Sequence, residues 1–267
     1  MTAMTIPGAI APSAAGRFAG LRPLLRKDTT EWLRGRRAWI VLAASAVLMV
    51  LTAANGWINA TIAAAVPEAA QNARFSLAPA DNLAAAVGAQ IFLLATIFAV
   101  ASLIVGERQA GTLAWVASKP VSRNAIWTSK WVASSAILVV TAAIVPLVVT
   151  VAVVTVLYGV PPIGLVVGMA AGMVGLVVLF AAVGLAAGTV MPGQAAITAA
   201  GFVVLALAPI LTGIVPALAP FLPTSFLDWT TGVATGAPLT LVTPFTWVLA
   251  TGALVAASLR GMSRMEL

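Results

Sequence analysis

The chain has 267 residues, of which 61% are hydrophobic and 8% charged, and a net charge of +7. A soluble domain carries roughly 25% charged residues and disorder needs low hydrophobicity, so both are excluded and an integral membrane protein remains. With no His and no Cys, sites that need either residue as a zinc or haem ligand, His-dependent triads and disulfides are excluded as well.

The apolar residues come in unbroken runs of about twenty, the length a helix needs to cross about 30 Å of hydrocarbon. Barrel strands would alternate instead. Residues 1–16 lack the basic and apolar regions of a secretory signal. They read as a flexible tail ahead of one transmembrane domain, 17–267. Next, Phe18, Leu21, Leu25 and Trp32 fall near one face at helical spacing, with Arg22, Arg26, Lys27 and Arg34 elsewhere. This predicts an amphipathic helix on the cytoplasmic membrane surface, aromatics at headgroup level and cations toward lipid phosphates. A basic flank that only sets topology is the plainer alternative.

Six spans follow, at about 38–57, 83–105, 131–158, 163–191, 195–216 and 241–259. None has an ionisable residue in its interior, where one would cost about 2.5–3.5 kcal/mol. Trp39, Trp57, Trp131 and Tyr158 sit near span ends and read as interface anchors. In span two, Gln90 is the main strong hydrogen-bonding side chain. An interhelical bond is its commoner role and a place on the translocation path the sharper one.

The loop after span two runs from Gly106 to Lys130. Gly111 can end a helix, Pro120 forces a break, and Ser122 caps a short helix starting near Arg123. Span two is thus predicted to extend into the cytoplasm, turn, and return through a short helix carrying Arg123 and Lys130. That shape suits a cytosolic partner; an ordinary charged loop fixing topology is an equal alternative. In span four, Gly164, Gly168 and Gly172, then Gly184 and Gly188, recur every four residues. They line a face for close approach of another backbone, within the chain or between subunits. Beyond span five, Pro216, Pro220 and Pro223 rule out a continuous helix over 217–240. A broken, re-entrant pair of short helices on the external side is predicted, shielded by protein or lining a water-filled cavity.

Thirteen of the fourteen Lys and Arg residues fall on one side of this layout: Arg17, Arg22, Arg26, Lys27, Arg34, Arg36, Arg37, Arg108, Lys119, Arg123, Lys130, Arg260 and Arg264. Arg74 lies opposite, with Glu68, Asp81 and Asp228. The basic side is the cytoplasm, so both termini are cytoplasmic in a cell (plasma, or inner) membrane. The same asymmetry accounts for the positive charge without nucleic acid. Only Lys27, Lys119 and Lys130 are lysines, and none follows Gly, so the chain has no P-loop of its own. No metal site is expected, since only Asp28 and Glu31 among the acids lie within three positions of each other.

Glu107-Arg108, Gly111-Thr112-Leu113, Lys119-Pro120-Val121-Ser122-Arg123 and Lys130 together resemble the first cytoplasmic loop of type-2 ATP-binding-cassette (ABC-2) permeases. Leu24-Leu25-Arg26-Lys27 through Glu31-Trp32-Leu33-Arg34-Gly35-Arg36-Arg37 resembles the helix before the first span in that family. Asp28 departs from an expected Glu, and the alanine-rich tail is longer. The resemblance implies a dimer with a second copy or a related permease, bound to two separate ATPase subunits that carry ATP and Mg. It implies no enzyme activity and no cofactor on this chain. Glu107, Arg108, Gly111, Thr112, Leu113, Lys119, Pro120, Arg123 and Lys130 then belong to a coupling helix that enters the ATPase. Leu25, Arg26, Lys27, Glu31, Trp32, Arg34, Arg36 and Arg37 belong to the interfacial helix beside it. The implied function is export, and the uncharged spans favour a lipophilic or amphiphilic substrate. An ion-coupled secondary transporter is the alternative, although such proteins usually carry intramembrane ionisable residues. A non-transporting membrane anchor for a cytosolic partner is another.

Overall fold

The computed structural model describes residues 18–66, 75–88, 91–112, 116, 121–191 and 193–264. Regular structure among these is helical, with no strand. In chain order the helices are α1 (Leu21–Arg34), α2 (Arg36–Ala65), α3 (Pro79–Gly88), α4 (Ile91–Gln109), α5 (Arg123–Tyr158), α6 (Ile163–Val190), α7 (Gln194–Ile214), α8 (Phe226–Ala234) and α9 (Val242–Arg264). Among the described residues, α2, α5, α6 and the Val242–Met262 part of α9 are long and apolar enough to cross a membrane.

Gly35 separates α1 from α2 with an extended backbone, its N–H donating to the Glu31 carbonyl at 2.9 Å. Where one span was predicted over 83–105, the structure has α3 and α4, and Gln90 lies outside the described residues. The predicted short return helix is corrected. Ser122 does cap a helix, its side-chain oxygen accepting from the Ala125 N–H at 3.0 Å. That helix, however, does not stop before the next span: Arg123 and Lys130 lie on the first turns of α5, which continues to Tyr158. Nothing in the sequence breaks it, since residues 123–145 hold no Gly or Pro. A π-helical stretch, Val139–Ile144, comes just before Pro146. Proline cannot donate to the residue four back and its ring crowds that carbonyl, so the wider turn relieves the clash.

α5 ends at Gly159, at φ +101°, and Pro161 and Pro162 lead straight into α6. α6 is the central column. Met173, Leu176, Val177, Phe180 and Leu185 on it are fully buried, and α4, α5, α8 and α9 pack around it.

The two ends of the bundle are chemically distinct. At one end α1, the last turn of α4, the first turn of α5 and the last turns of α6 and α9 meet. Arg108 Nη2 donates to the Met191 carbonyl at 2.7 Å, Arg123 Nη1 to the Met262 carbonyl at 3.3 Å, and the Ser122 N–H to the Ala19 carbonyl at 3.1 Å. At the other end Tyr158, the only tyrosine, reaches α2. Its hydroxyl accepts from the Trp57 N–H at 2.6 Å and donates to the Ala53 carbonyl at 2.9 Å. It thus bridges two groups that an uninterrupted helix would join directly. Tyr158 and Trp131 thus have partners inside the chain: Trp131 stacks on Trp127, with centroids 5.8 Å apart, and its Nε1 donates to the Val178 carbonyl at 3.4 Å.

The proline-rich segment forms two 3₁₀ turns, Pro216–Phe221 and Pro223–Ser225, followed by α8. α8 runs antiparallel to α6. Phe226 meets Gly175 near the middle of α6, Leu227 and Thr230 meet Gly172, Thr231 meets Gly168, and Ala234 meets Gly164 at the start of α6. The turn before α8 therefore lies halfway down the bundle. Trp247 of α9 closes this contact, with its ring 4.9 Å from Phe226 and its Nε1 donating to the Gly175 carbonyl at 3.1 Å. Gly184 is buried, and Gly188 faces Ile104 of α4 instead.

Candidate functional site

The basic end holds a charged corner built from three elements. On α1, Leu24, Asp28 and Trp32 are buried, spaced four apart so that they share one face. That face packs on the start of α5. Asp28 Oδ2 accepts from Ser129 Oγ at 2.7 Å. The next residue, Lys130, is 5% exposed, and its Nζ lies 2.7 Å from Glu107 Oε1 and 3.8 Å from Asp28 Oδ1. Lys27 adds longer pairs from the rim, 3.6 Å to Glu107, 3.9 Å to Glu31 and 4.0 Å to Asp28. A buried charge is tolerated only when paired, and the short Lys130–Glu107 contact meets that condition. Oxygens of Asp28, Glu31 and Glu107 lie within 4.8 Å of one another, and Lys27 and Lys130 supply two positive charges to them. In chemical terms the corner is a clamp, joining the helix before the first span to the end of α4 and the start of α5.

The residues predicted to couple to a partner divide in two. Glu107, Arg108, Arg123 and Lys130 bond within the chain, as given above. Gly111, at φ +68°, and Thr112 are exposed where α4 turns away. Thr112 Oγ1 donates to the Glu107 carbonyl at 3.2 Å. Leu113, Lys119 and Pro120 lie outside the described residues. On α1, Arg26, Lys27, Glu31, Arg34, and beyond it Arg36 and Arg37, are exposed and Leu25 is half-buried. Trp32 is corrected. It is 4% exposed, buried against protein and not presented to lipid. The apolar face predicted through Phe18, Leu21, Leu25 and Trp32 is rotated toward Leu24, because Asp28 must reach Ser129 and Lys130. In the sequence Ser129 had no assigned role and Asp28 stood only as a departure from the family pattern, although the spacing of Leu24, Asp28 and Trp32 was visible.

The family model described as ABC-2 family transporter protein matches residues 22–259. The match takes in the clamp, the central column and the proline-rich segment with α8, so the chain belongs to the ABC-2 transporter family. It is a multi-pass membrane protein of an ABC transporter system, in which an ATPase partner is implied. No curated protein matches the chain.

Proposed function

We propose that the chain is the transmembrane permease subunit of an ATP-driven exporter. It pairs with a separate ATPase subunit and a second copy of itself or a related permease, and moves a lipophilic or amphiphilic substrate across the plasma membrane. The observation that carries this reading is family membership over 22–259 in a chain with no P-loop. ATP and Mg then belong to the partner. Six crossings with both termini in the cytoplasm agree with the way the bundle ends alternate: α2, α5 and α7 leave the clamped end, and α3–α4, α6 and α9 return to it. In this reading Glu107, Arg108, Arg123 and Lys130 hold the two feet of the coupling segment. Thr112, Leu113, Lys119 and Pro120 between those feet touch the ATPase. The exposed arginines of α1 face lipid phosphates beside it.

The test is co-purification with an ATPase subunit and ATP-driven export of a lipophilic dye from reconstituted vesicles. Recovery of the ATPase with ATP-dependent export is expected. Transport that needs an ion gradient and no ATPase would transfer the reading to an ion-coupled transporter. Binding of the ATPase without any transport would leave only an anchor.

Topology is open to a separate measurement, because the chain has no native Cys to remove. Single cysteines at positions 22 and 260 should react only with a cytoplasmic maleimide, and one at position 74 only with an external one. Labelling of position 74 from the cytoplasm would defeat the six-span layout.

A further inference from the structure

Between residues 131 and 259 the sequence holds one charged residue, Asp228. It sits in the first turn of α8, beside Phe226 and Leu227, which meet Gly175 and Gly172 of α6. Those glycines lie roughly 13 to 18 Å along α6 from its start, at about 1.5 Å per residue. The carboxylate is thus carried well into the bundle by a half-helix that enters and leaves on the same side. It is exposed on the chain's surface. Charges at membrane depth are expensive, and those that occur mark binding sites or ion pathways.

The other acids within the described residues have partners. Asp28, Glu31 and Glu107 lie among Lys27 and Lys130, and Asp81 accepts from Ser76 Oγ at 2.6 Å. No basic side chain among the described residues pairs with Asp228. A second copy of the chain brings no Lys or Arg in the same stretch, since none occurs from 131 to 259. A cation to pair with it would come from the loop that holds Arg74, or from a ligand.

The surroundings favour a ligand. About one helical turn before Asp228, the turn that holds Pro223 and Thr224 closes a cavity of about 410 Å³. Leu179 and Phe180 of α6, Leu211 of α7 and Leu254 of α9 form other walls. Leu179 and Phe180 are buried and make its floor, while Leu211 is exposed at its rim. The volume falls within the ~300–1,000 Å³ usual for small-molecule sites. Among the described lining residues Thr224 is the only one whose side chain can hydrogen-bond, and none is charged.

From this juxtaposition we infer that the re-entrant turn forms a binding site for a lipophilic cation. The apolar body of the ligand fills the cavity and its cationic group neutralises Asp228. The inference deepens the permease reading by naming the substrate class, and rests on that reading for the step from binding to export.

The test uses the full chain in phosphatidylcholine nanodiscs, without an ATPase. The probe is tetraphenylphosphonium, with tetraphenylmethane as its uncharged counterpart. The wild type should bind the cation saturably. Asp228→Asn should weaken that binding by at least about tenfold, the worth of one charged contact, and leave the neutral probe unchanged. Asp228→Glu should restore most of it. Val183 of α6 also lines the cavity, and Val183→Trp, which fills it, should weaken both probes. Unsaturable binding by the wild type, or equal affinity in Asp228→Asn, would overturn the site. So would cation binding by Asp228→Asn that Arg74→Ala restores, since the carboxylate would then serve Arg74. The carboxylate also lies where it compensates the N–H groups of the first turn of α8. If Asp228→Asn lowers the thermal midpoint and Asp228→Glu recovers stability but not binding, that helical role is the whole of its function and the inference fails. Saturable binding without ATP-driven export would sink the exporter reading and leave the site standing.

Discussion

Lys130→Ala should destabilise the chain by about 3–5 kcal/mol, the usual loss when one partner of a buried ion pair is removed. The ammonium is 5% exposed and lies 2.7 Å from Glu107. Its removal leaves Asp28 and Glu107, buried to 7% and 17% side-chain exposure, as like charges with only the rim Lys27 for compensation. Glu107→Ala should cost nearly as much, because Lys130 then keeps only the 3.8 Å contact with Asp28. Arg26→Ala, an exposed change on the outer side of α1, should stay within about 0.5 kcal/mol. Thermal unfolding in detergent would measure all three. In the double variant Glu107→Ala/Lys130→Ala part of the loss should return, since neither charge is left buried alone. A Lys130→Ala loss below about 1 kcal/mol would mean that the corner is solvated and holds nothing. The clamp also explains why a coupling assay on Glu107 or Arg123 needs a stability control: both residues are bound inside the chain before any partner arrives.

Gly168→Leu should expel α8 from the bundle. A Cβ at that position would stand 2.7 Å from Thr231 Cα, 2.8 Å from the Thr230 carbonyl oxygen and 2.9 Å from Ala234 Cβ. Two of those three atoms are backbone, so no rotamer change makes room. Overpacking of this kind costs about 1–3 kcal/mol and occasionally more. A single cysteine at position 230, a buried site, should change from unreactive to reactive in the Gly168→Leu background. Gly213→Leu is the control, because a Cβ there would meet nothing within 4 Å. Unchanged reactivity at position 230 in the Gly168→Leu chain would show that the glycine face does not seat the half-helix.

Much of the architecture was legible because it depends on local signals. Long apolar runs marked α2, α5, α6 and α9, and Ser122 marked one helix start. The three prolines broke the segment after α7 where the structure breaks it. What could not be read depends on which surfaces meet. Glu107 and Lys130 are 23 positions apart, and in sequence they look like charges offered to a partner. Only the packing of α1 turns them toward each other. Asp28 looked like a mere departure from a family pattern, yet it is the residue that ties α1 to Ser129. The glycine repeat announced a close neighbour but not its identity, because a repeat on one helix does not name the surface that meets it. α2 outran its apolar segment to Ala65 because Asn59 and Thr61 bond back one turn, to Asn55 and to the Trp57 carbonyl, which keeps polar residues helical.

The antiparallel seating of α8 on α6 also bears on how the chain is made. A nine-residue helix is too short to persist alone in water, and its neighbours on either side are turns that cannot hold it at depth. It needs a surface already in place. Synthesis runs from the N-terminus, so the glycine face of α6 has left the ribosome well before Phe226 follows it. α7 lies between the two in sequence and gives the column time to settle. Trp247 arrives last, on α9, and closes over Phe226. Chain order and assembly order therefore coincide: a template first, then the segment that depends on it, then the ring that locks it in.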